Sequence, residues 1–117
     1  MADSPDAQFR IRLYHDGKIA LGPGRVALLE AIERTGSISG AARELKMSYR
    51  RAWLLMDETN SAFAQPVVES TEGGAAGGGT RLTETGRLVV AHYRRAEELA
   101  FKAATAEIAV LKKLIRD

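Results

Sequence analysis

The chain has 117 residues, of which 45% are hydrophobic and 27% charged, and its formal net charge is only +2. This length suits one compact domain with a real core, and no apolar run approaches the ~18 residues that a membrane-crossing helix needs. The acidic, polar N-terminus lacks the basic and apolar regions of a secretory signal, so we expect a cytoplasmic protein. Because cysteine is absent, disulfides, thiolate metal sites and a cysteine nucleophile are excluded.

A β-hairpin is expected near the N-terminus. Apolar and polar residues alternate from Phe9 to Leu13, which is the period of a half-buried strand. The pair Asp16-Gly17 favours a tight turn into a second strand, Ile19-Ala20-Leu21. We expect residues 1–7 to form a disordered N-terminus before this hairpin.

Three helices are predicted to follow the hairpin. Pro23 suits the first turn of a helix that continues to Thr35. Ser37 can cap a shorter helix through Leu45, and Ser48 can cap a third helix that ends before Gln65-Pro66. Two helices joined by so short a turn are typical of a helix-turn-helix.

A second hairpin and a long helix complete the predicted fold. The β-prone segments 67–70 and 80–83 flank a glycine-rich run, which predicts a long hairpin with a flexible tip. From residue 84 to residue 117 no proline interrupts a helical pattern, and so long a helix needs a packing partner. We therefore expect residues 8–83 to form one domain and residues 84–117 to form the long helix.

The charges concentrate on the third predicted helix and the turn before it. Between Arg43 and Leu55 there are four cations and one acid, Glu44. At about 100° per residue, a core-facing stripe through Ala52 and Met56 directs Arg50 outward. An exposed first helical turn is where a recognition helix presents side chains to base edges, and a guanidinium can bind guanine through two hydrogen bonds. Arg50 is therefore the strongest candidate for base contact.

Other residues are candidates for DNA contact, although each also has an ordinary structural interpretation. The serines are helix caps first, Trp53 is equally well explained as a partly buried flanking residue, and paired arginines often form only a solvated face. The glycine run suits either a mobile loop or a wing that approaches the sugar-phosphate chain. The candidate DNA-binding residues are Ser37, Ser39, Lys46, Ser48, Tyr49, Arg50, Arg51, Trp53 and Arg81, and the candidate wing residues are Gly73, Gly74, Gly77, Gly78, Gly79 and Thr80.

The long helix carries a candidate dimer interface. Its apolar residues recur at intervals of three and four, the spacing of a seam between two helices. The alternative is that this seam packs against the chain's own domain. The predicted seam consists of Phe101, Ala104, Ile108, Leu111 and Ile115.

Together these motifs carry a family resemblance. The segments "GSISGAA", "MSYRRAW" and "EGGAAGGGTRLTETGR", in this order and spacing, resemble the N-terminal DNA-binding domain of the ModE family of molybdate-responsive bacterial regulators. The resemblance implies a mainly α fold with a small β content: a winged helix-turn-helix related to LysR-type regulators, with an N-terminal β-hairpin and a long C-terminal dimerisation helix. It also implies a homodimer that binds double-stranded DNA. Family members sense molybdate through additional C-terminal modules, so we expect this polypeptide itself not to sense the effector.

Two functional hypotheses follow. The first is a sequence-specific transcriptional regulator that binds a pseudo-palindromic operator as a homodimer and controls molybdenum-related genes. The second is a truncated interaction partner that pairs with a full-length regulator or another transcription component through the predicted seam. We predict no enzymatic activity, because the sequence has no motif for phosphate binding, a catalytic nucleophile or zinc-dependent hydrolysis. We also predict no cofactor or metal site.

Overall fold

The computed structural model describes residues 7–74 and 77–116, and the predicted disordered N-terminus lies almost wholly outside them. Four helices and two antiparallel β-hairpins form a winged helix-turn-helix, which confirms the predicted fold class. In chain order the elements are β1 Leu13–His15, β2 Lys18–Leu21, α1 Pro23–Thr35, α2 Ile38–Glu44, α3 Tyr49–Ala62, β3 Val68–Gly74, β4 Gly77–Leu82 and α4 Glu84–Leu114.

The first hairpin has the predicted turn but a shorter first strand. Asp16 and Gly17 adopt φ angles of 51° and 77°, as a two-residue turn with both central residues in the left-handed region requires. The prediction that the strand begins at Phe9 is wrong, because the chain before Leu13 packs along α4 instead of pairing with β2. The carbonyl oxygen of Ile11 accepts a hydrogen bond from the Tyr93 hydroxyl at 2.8 Å.

Capping residues set the boundaries of the helix-turn-helix. Gly36 ends α1 with φ 79°, a left-handed conformation that glycine adopts without steric cost. The side chains of Ser37 and Ser48 each accept a hydrogen bond from the backbone N–H three residues later, so both act as N-caps, as predicted. Helix α3 ends at Ala62, three residues before the predicted stop, because Phe63 is already extended.

The core lies between α1, α2, α3 and the base of the second hairpin. Small side chains at Ala41, Ala42 and Ala52 are buried, which lets the two helices of the motif approach closely. The exit from α3 is fixed by Asn60, whose amide oxygen accepts hydrogen bonds from the N–H groups of Val67 and Val68 at 2.8 and 3.1 Å. These contacts hold α3 at a defined angle to the second hairpin.

An ion-pair network joins α4 to α1. Arg94 donates hydrogen bonds to Glu30 at 2.6 and 2.9 Å and to Glu97 at 2.7 Å. The hydrogen bond from Arg94 lowers the pKa of Glu30 below its ordinary value. The pair therefore stabilises the fold above the unfolded-state pKa of Glu30, and this contribution is lost as the pH falls through the lower folded-state value.

The glycine-rich run is largely strand. Gly74 pairs with Gly77 across the hairpin, so β3 and β4 extend beyond the predicted segments 67–70 and 80–83, with an irregular register between Thr71 and Gly74. The predicted long hairpin is therefore present, with strands that reach into the glycine run. The tip that was predicted to be flexible falls on Ala75 and Ala76, which lie outside the described residues. Without side chains, glycines pair at the hairpin end through the backbone alone.

Helix α4 is the longest element of the fold, with 31 residues. It ends at Leu114, where Ile115 becomes extended with ψ 140°. The prediction that the helix continues to residue 117 is therefore wrong for Ile115, the last member of the predicted seam, and Asp117 lies outside the described residues. Within the described chain, no helix combines the length and apolar character needed to cross a membrane.

Candidate nucleic-acid interface

The first turn of α3 presents three large polar side chains to solvent. Tyr49, Arg50 and Arg51 are all exposed, whereas the next residue, Ala52, is fully buried. Among the described residues, neither guanidinium lies within ion-pair distance of a carboxylate. The two guanidinium groups are therefore available to an anionic or hydrogen-bonding ligand outside the chain.

Trp53 and Leu54 extend the same surface. Together with Tyr49 and Arg50 they line a shallow surface depression of about 330 Å³. The indole of Trp53 is 41% exposed, so it contributes to this surface and does not belong to the buried core. Leu54, which was not among the candidate residues, is 40% exposed, and it lies on the same side of the helix as Arg50, four residues earlier. An exposed leucine beside an arginine can contact a thymine methyl group in the major groove.

The single acid of the basic segment is neutralised within the chain. Arg34 donates to Glu44 through Nε at 2.9 Å, and this hydrogen bond lowers the pKa of Glu44. Glu44 consequently opposes the nearby cations less than the sequence implies. The turn between α2 and α3 contributes Lys46, which is exposed and adopts φ 57°. The turn between α2 and α3 and the first turn of α3 therefore present a positive surface suited to a phosphate chain.

The candidate serines differ in their roles. Ser37 and Ser48 use their side-chain oxygens as acceptors for the caps of α2 and α3, and a capping hydroxyl retains its own hydrogen for donation to another group. Ser39 is exposed in the first turn of α2. These three side chains lie at the starts of the two helices, where backbone N–H groups also favour an anion.

The second hairpin, which we call the wing, is hydrogen-bonded to the turn between α1 and α2 through β4. The N–H of Thr80 donates to the carbonyl oxygen of Gly36 at 2.9 Å, and the N–H of Gly79 donates to the Thr71 hydroxyl at 2.7 Å. Arg81, a candidate DNA-binding residue, donates through its Nε to Glu69 at 2.9 Å across the hairpin, and its contact with DNA stays a prediction. Both side chains are exposed, so this pair is weak and a phosphate can compete for the guanidinium.

Replacing Gly79 with alanine is expected to detach the wing from the helix-turn-helix. A Cβ at this position would lie 2.5 Å from the carbonyl oxygen of Gly36, which is a backbone atom that cannot rotate away. Because a displaced wing removes backbone contacts and not base contacts, affinity for operator and random DNA should fall by a similar factor, roughly tenfold. Titration of both duplexes by fluorescence anisotropy measures this, and Ser70→Ala, an exposed change on β3, should leave both affinities unchanged.

The predicted seam on α4 is only partly available for a partner. The ring of Phe101 contacts Phe9 of its own chain, edge to face, with the ring centroids 6.0 Å apart. Ala104 and Ile108 are half-buried and Leu111 is exposed, while Ile115 lies outside the helix. Phe101 therefore has a contact within its own chain, and the role of the seam in dimerisation stays a prediction.

This arrangement of a capped reading helix, a fastened wing and a positive surface defines a winged helix-turn-helix DNA-binding module. The chain belongs to the family of bacterial regulatory helix-turn-helix proteins of the lysR type, whose profile matches residues 24–87. The resemblance to the ModE family is also confirmed. The chain is 45% identical over 95 residues to the molybdenum transport protein ModE of Azotobacter vinelandii, covering 81% of this chain and 35% of the relative.

Other comparisons agree with this assignment. The DNA-binding transcriptional dual regulator ModE of Escherichia coli is 33% identical over 97 residues, covering 83% of this chain and 37% of that protein. The chain thus spans about a third of the length of these curated relatives. Among solved structures, FabT of Streptococcus pneumoniae in complex with DNA superposes with a TM-score of 0.54 at 16% identity, covering 80% of this chain and 69% of FabT. That last likeness supports the fold.

Proposed function

We propose that the chain is the DNA-binding part of a cytoplasmic ModE-like transcriptional regulator, which binds a pseudo-palindromic operator as a homodimer and controls molybdenum-related genes. The observation that carries the proposal is the exposed first turn of α3, where Arg50 and Arg51 have no carboxylate partner among the described residues. The names of the relatives supply the connection to molybdenum.

The surface suggests a division of labour between sequence recognition and general affinity. Arg50 and Tyr49, on the exposed side of the first turn of α3, are placed to contact base edges when the helix enters the major groove. Lys46 and Arg51 suit phosphate contact on either side of the groove, together with the helix starts at Ser37 and Ser48. In this proposal Trp53 packs against the wall of the groove. The wing follows the adjacent sugar-phosphate chain.

Selection of bound duplexes from a random pool tests this function directly. We expect an enriched inverted repeat whose half-sites are about one helical turn, ~34 Å, apart. Binding of that duplex should weaken steeply as salt increases, since each neutralised phosphate releases counterions. A reporter placed behind the recovered sequence then tests regulation in the cell. Recovery of no motif, with equal affinity for every duplex, would contradict sequence-specific regulation.

A further inference from the structure

Arg25 is a largely buried cation that the proposed DNA contacts do not include. It lies in the first turn of α1, and its side chain is only 13% exposed. Its Nη2 donates to the Glu58 carboxylate at 2.9 Å. Its Nη1 donates longer hydrogen bonds to the Thr59 hydroxyl oxygen at 3.4 Å and the Leu55 carbonyl oxygen at 3.5 Å. One guanidinium therefore joins the start of α1 to the second half of α3.

The stability of the fold does not depend on this guanidinium. Without it, the Glu58 carboxylate would remain solvated, because that side chain is 57% exposed. The buried Thr59 hydroxyl donates to the Leu55 carbonyl oxygen at 2.7 Å, so both of these groups would keep a hydrogen bond. Burying a cation costs solvation free energy, and an apolar side chain of similar size often stabilises a fold equally well. An arginine at position 25 therefore calls for a different explanation.

The acceptors of Arg25 lie in different directions around the axis of α3. Thr59 faces the core, and Glu58 lies about 100° around the helix from it. A rotation of α3 in one sense would draw Glu58 away from the guanidinium, and a rotation in the other sense would draw Thr59 away. Apolar packing tolerates such adjustments more readily than directional hydrogen bonds do. The planar fork of Arg25, which donates in both directions at once, therefore fixes the rotation of α3.

A small rotation of α3 would displace the residues proposed to contact bases. Arg50 lies five to nine residues before the positions that contact Arg25, which is about 8 to 14 Å along a straight helix. A side chain on the helix surface lies roughly 6 Å from the axis, so a rotation of about 10° moves it by about 1 Å. Such a shift breaks a hydrogen bond to a base edge, whereas the attraction of cations to phosphates changes little over that distance.

We propose that Arg25 is a positioning residue for sequence recognition. It sets the rotation of α3, and thereby the direction of the Arg50 side chain, without itself touching DNA. This inference rests on the proposed function and deepens it, because it assigns part of the specificity to a residue in the interior of the domain. Arg25 should consequently contribute to discrimination between sequences, and little to general DNA affinity or to stability.

Arg25→Met tests this separation. We expect the ratio of operator affinity to random-duplex affinity to fall by about three- to tenfold, while the midpoint of thermal unfolding shifts by less than about 4 °C. Arg95→Met is the matched control, since it removes the same charge from an exposed pair with Glu98 on α4; its ratio should stay within about twofold of wild type. An unchanged ratio for Arg25→Met, or an equal loss on both duplexes, would overturn the proposal.

A double-mutant cycle with Arg50→Ala tests whether Arg25 acts through Arg50. Substitutions at separated sites with no shared contact have additive effects on binding. If Arg25 directs Arg50, Arg50→Ala should weaken operator binding by a factor at least about threefold smaller in the Arg25→Met chain than in wild type. Equal factors in the two chains contradict the inference. Should Arg25→Met fail to fold, Arg25→Lys takes its place, because an ammonium keeps the charge without the fork.

Amide hydrogen exchange of the free chain separates this inference from the proposed function. In Arg25→Met, amides of residues 55–62 should exchange at least about threefold faster than in wild type at unchanged global stability, because local opening of α3 becomes easier. Unchanged exchange there would overturn the inference even when the wild-type chain selects an operator. If exchange responds as expected but wild type selects no operator, the proposed function fails while the control of α3 by Arg25 stands.

Discussion

Arg50→Ala is expected to weaken binding to the selected operator by about 1 to 3 kcal/mol, or about 5- to 150-fold, and to flatten the preference among sequences. The guanidinium is exposed at the first turn of α3, next to the exposed Tyr49 ring. In the proposed complex, its loss would remove hydrogen bonds to a base edge, which discriminate between base pairs, in addition to one positive charge. Binding to random duplex should therefore weaken much less than binding to the operator.

A charge-matched control separates these two effects. Lys18 is an exposed cation in the first hairpin, and it borders the same cleft as residues Glu58 and Ala62 near the C-terminal end of α3. Lys18→Ala should change the operator affinity and the random-duplex affinity only slightly and equally. Titrations with both duplexes at two salt concentrations provide the measurement. Equal weakening of both duplexes by Arg50→Ala would assign Arg50 to phosphate contact and contradict base recognition.

Gly86→Ala should cause the largest loss of stability among the glycine substitutions. A Cβ at position 86 would lie 2.0 Å from the carbonyl oxygen of Val67 and 3.0 Å from its carbonyl carbon. That oxygen already accepts a hydrogen bond from the Thr83 N–H at 3.0 Å, so it cannot move without loosening the start of α4. We expect the free energy of unfolding to fall by about 3 kcal/mol or more, at the upper end of overpacking substitutions.

Gly24→Ala serves as the control for this effect. Gly24 is also in the first turn of a helix, yet beyond its chain neighbours and its own helix backbone no described atom lies within 4 Å of a Cβ built there. Alanine at that position should leave the stability unchanged or raise it by up to about 1 kcal/mol, since alanine favours helix more than glycine does. Chemical denaturation followed by circular dichroism compares the two variants. A small change for Gly86→Ala would show that α4 can shift away from Val67.

The parts of the fold that depend on local chemistry were predictable from the sequence. Pro23, Gly36 and the capping serines mark helix ends because each acts on backbone groups within a few residues. The outward direction of Arg50 followed from helical periodicity alone. The roles proposed for the DNA-contacting residues remain predictions, because their test is binding to DNA.

Contacts between distant segments were not predictable in the same way. Phe9 stands in an alternating apolar-polar pattern, as a strand residue would. It packs on α4 because Phe101, far along the chain, lies beside it in the fold. The pairing of Arg81 with Glu69 could not be predicted either, because it depends on the register of the hairpin. The seam on α4 was predicted from spacing alone, and its role in dimerisation stays a prediction.

In the proposed homodimer, the network around Arg94 would limit which operators the protein can bind. Because Arg94 joins α4 to Glu30 on α1, the long helix and the helix-turn-helix move as one rigid unit. If two chains associate through their long helices, the separation between the two copies of α3 would therefore be fixed. A site whose halves are spaced too widely or too narrowly must bend or twist to fit it, and the stiffness of the base pairs between the halves, which no side chain touches, becomes part of the recognition.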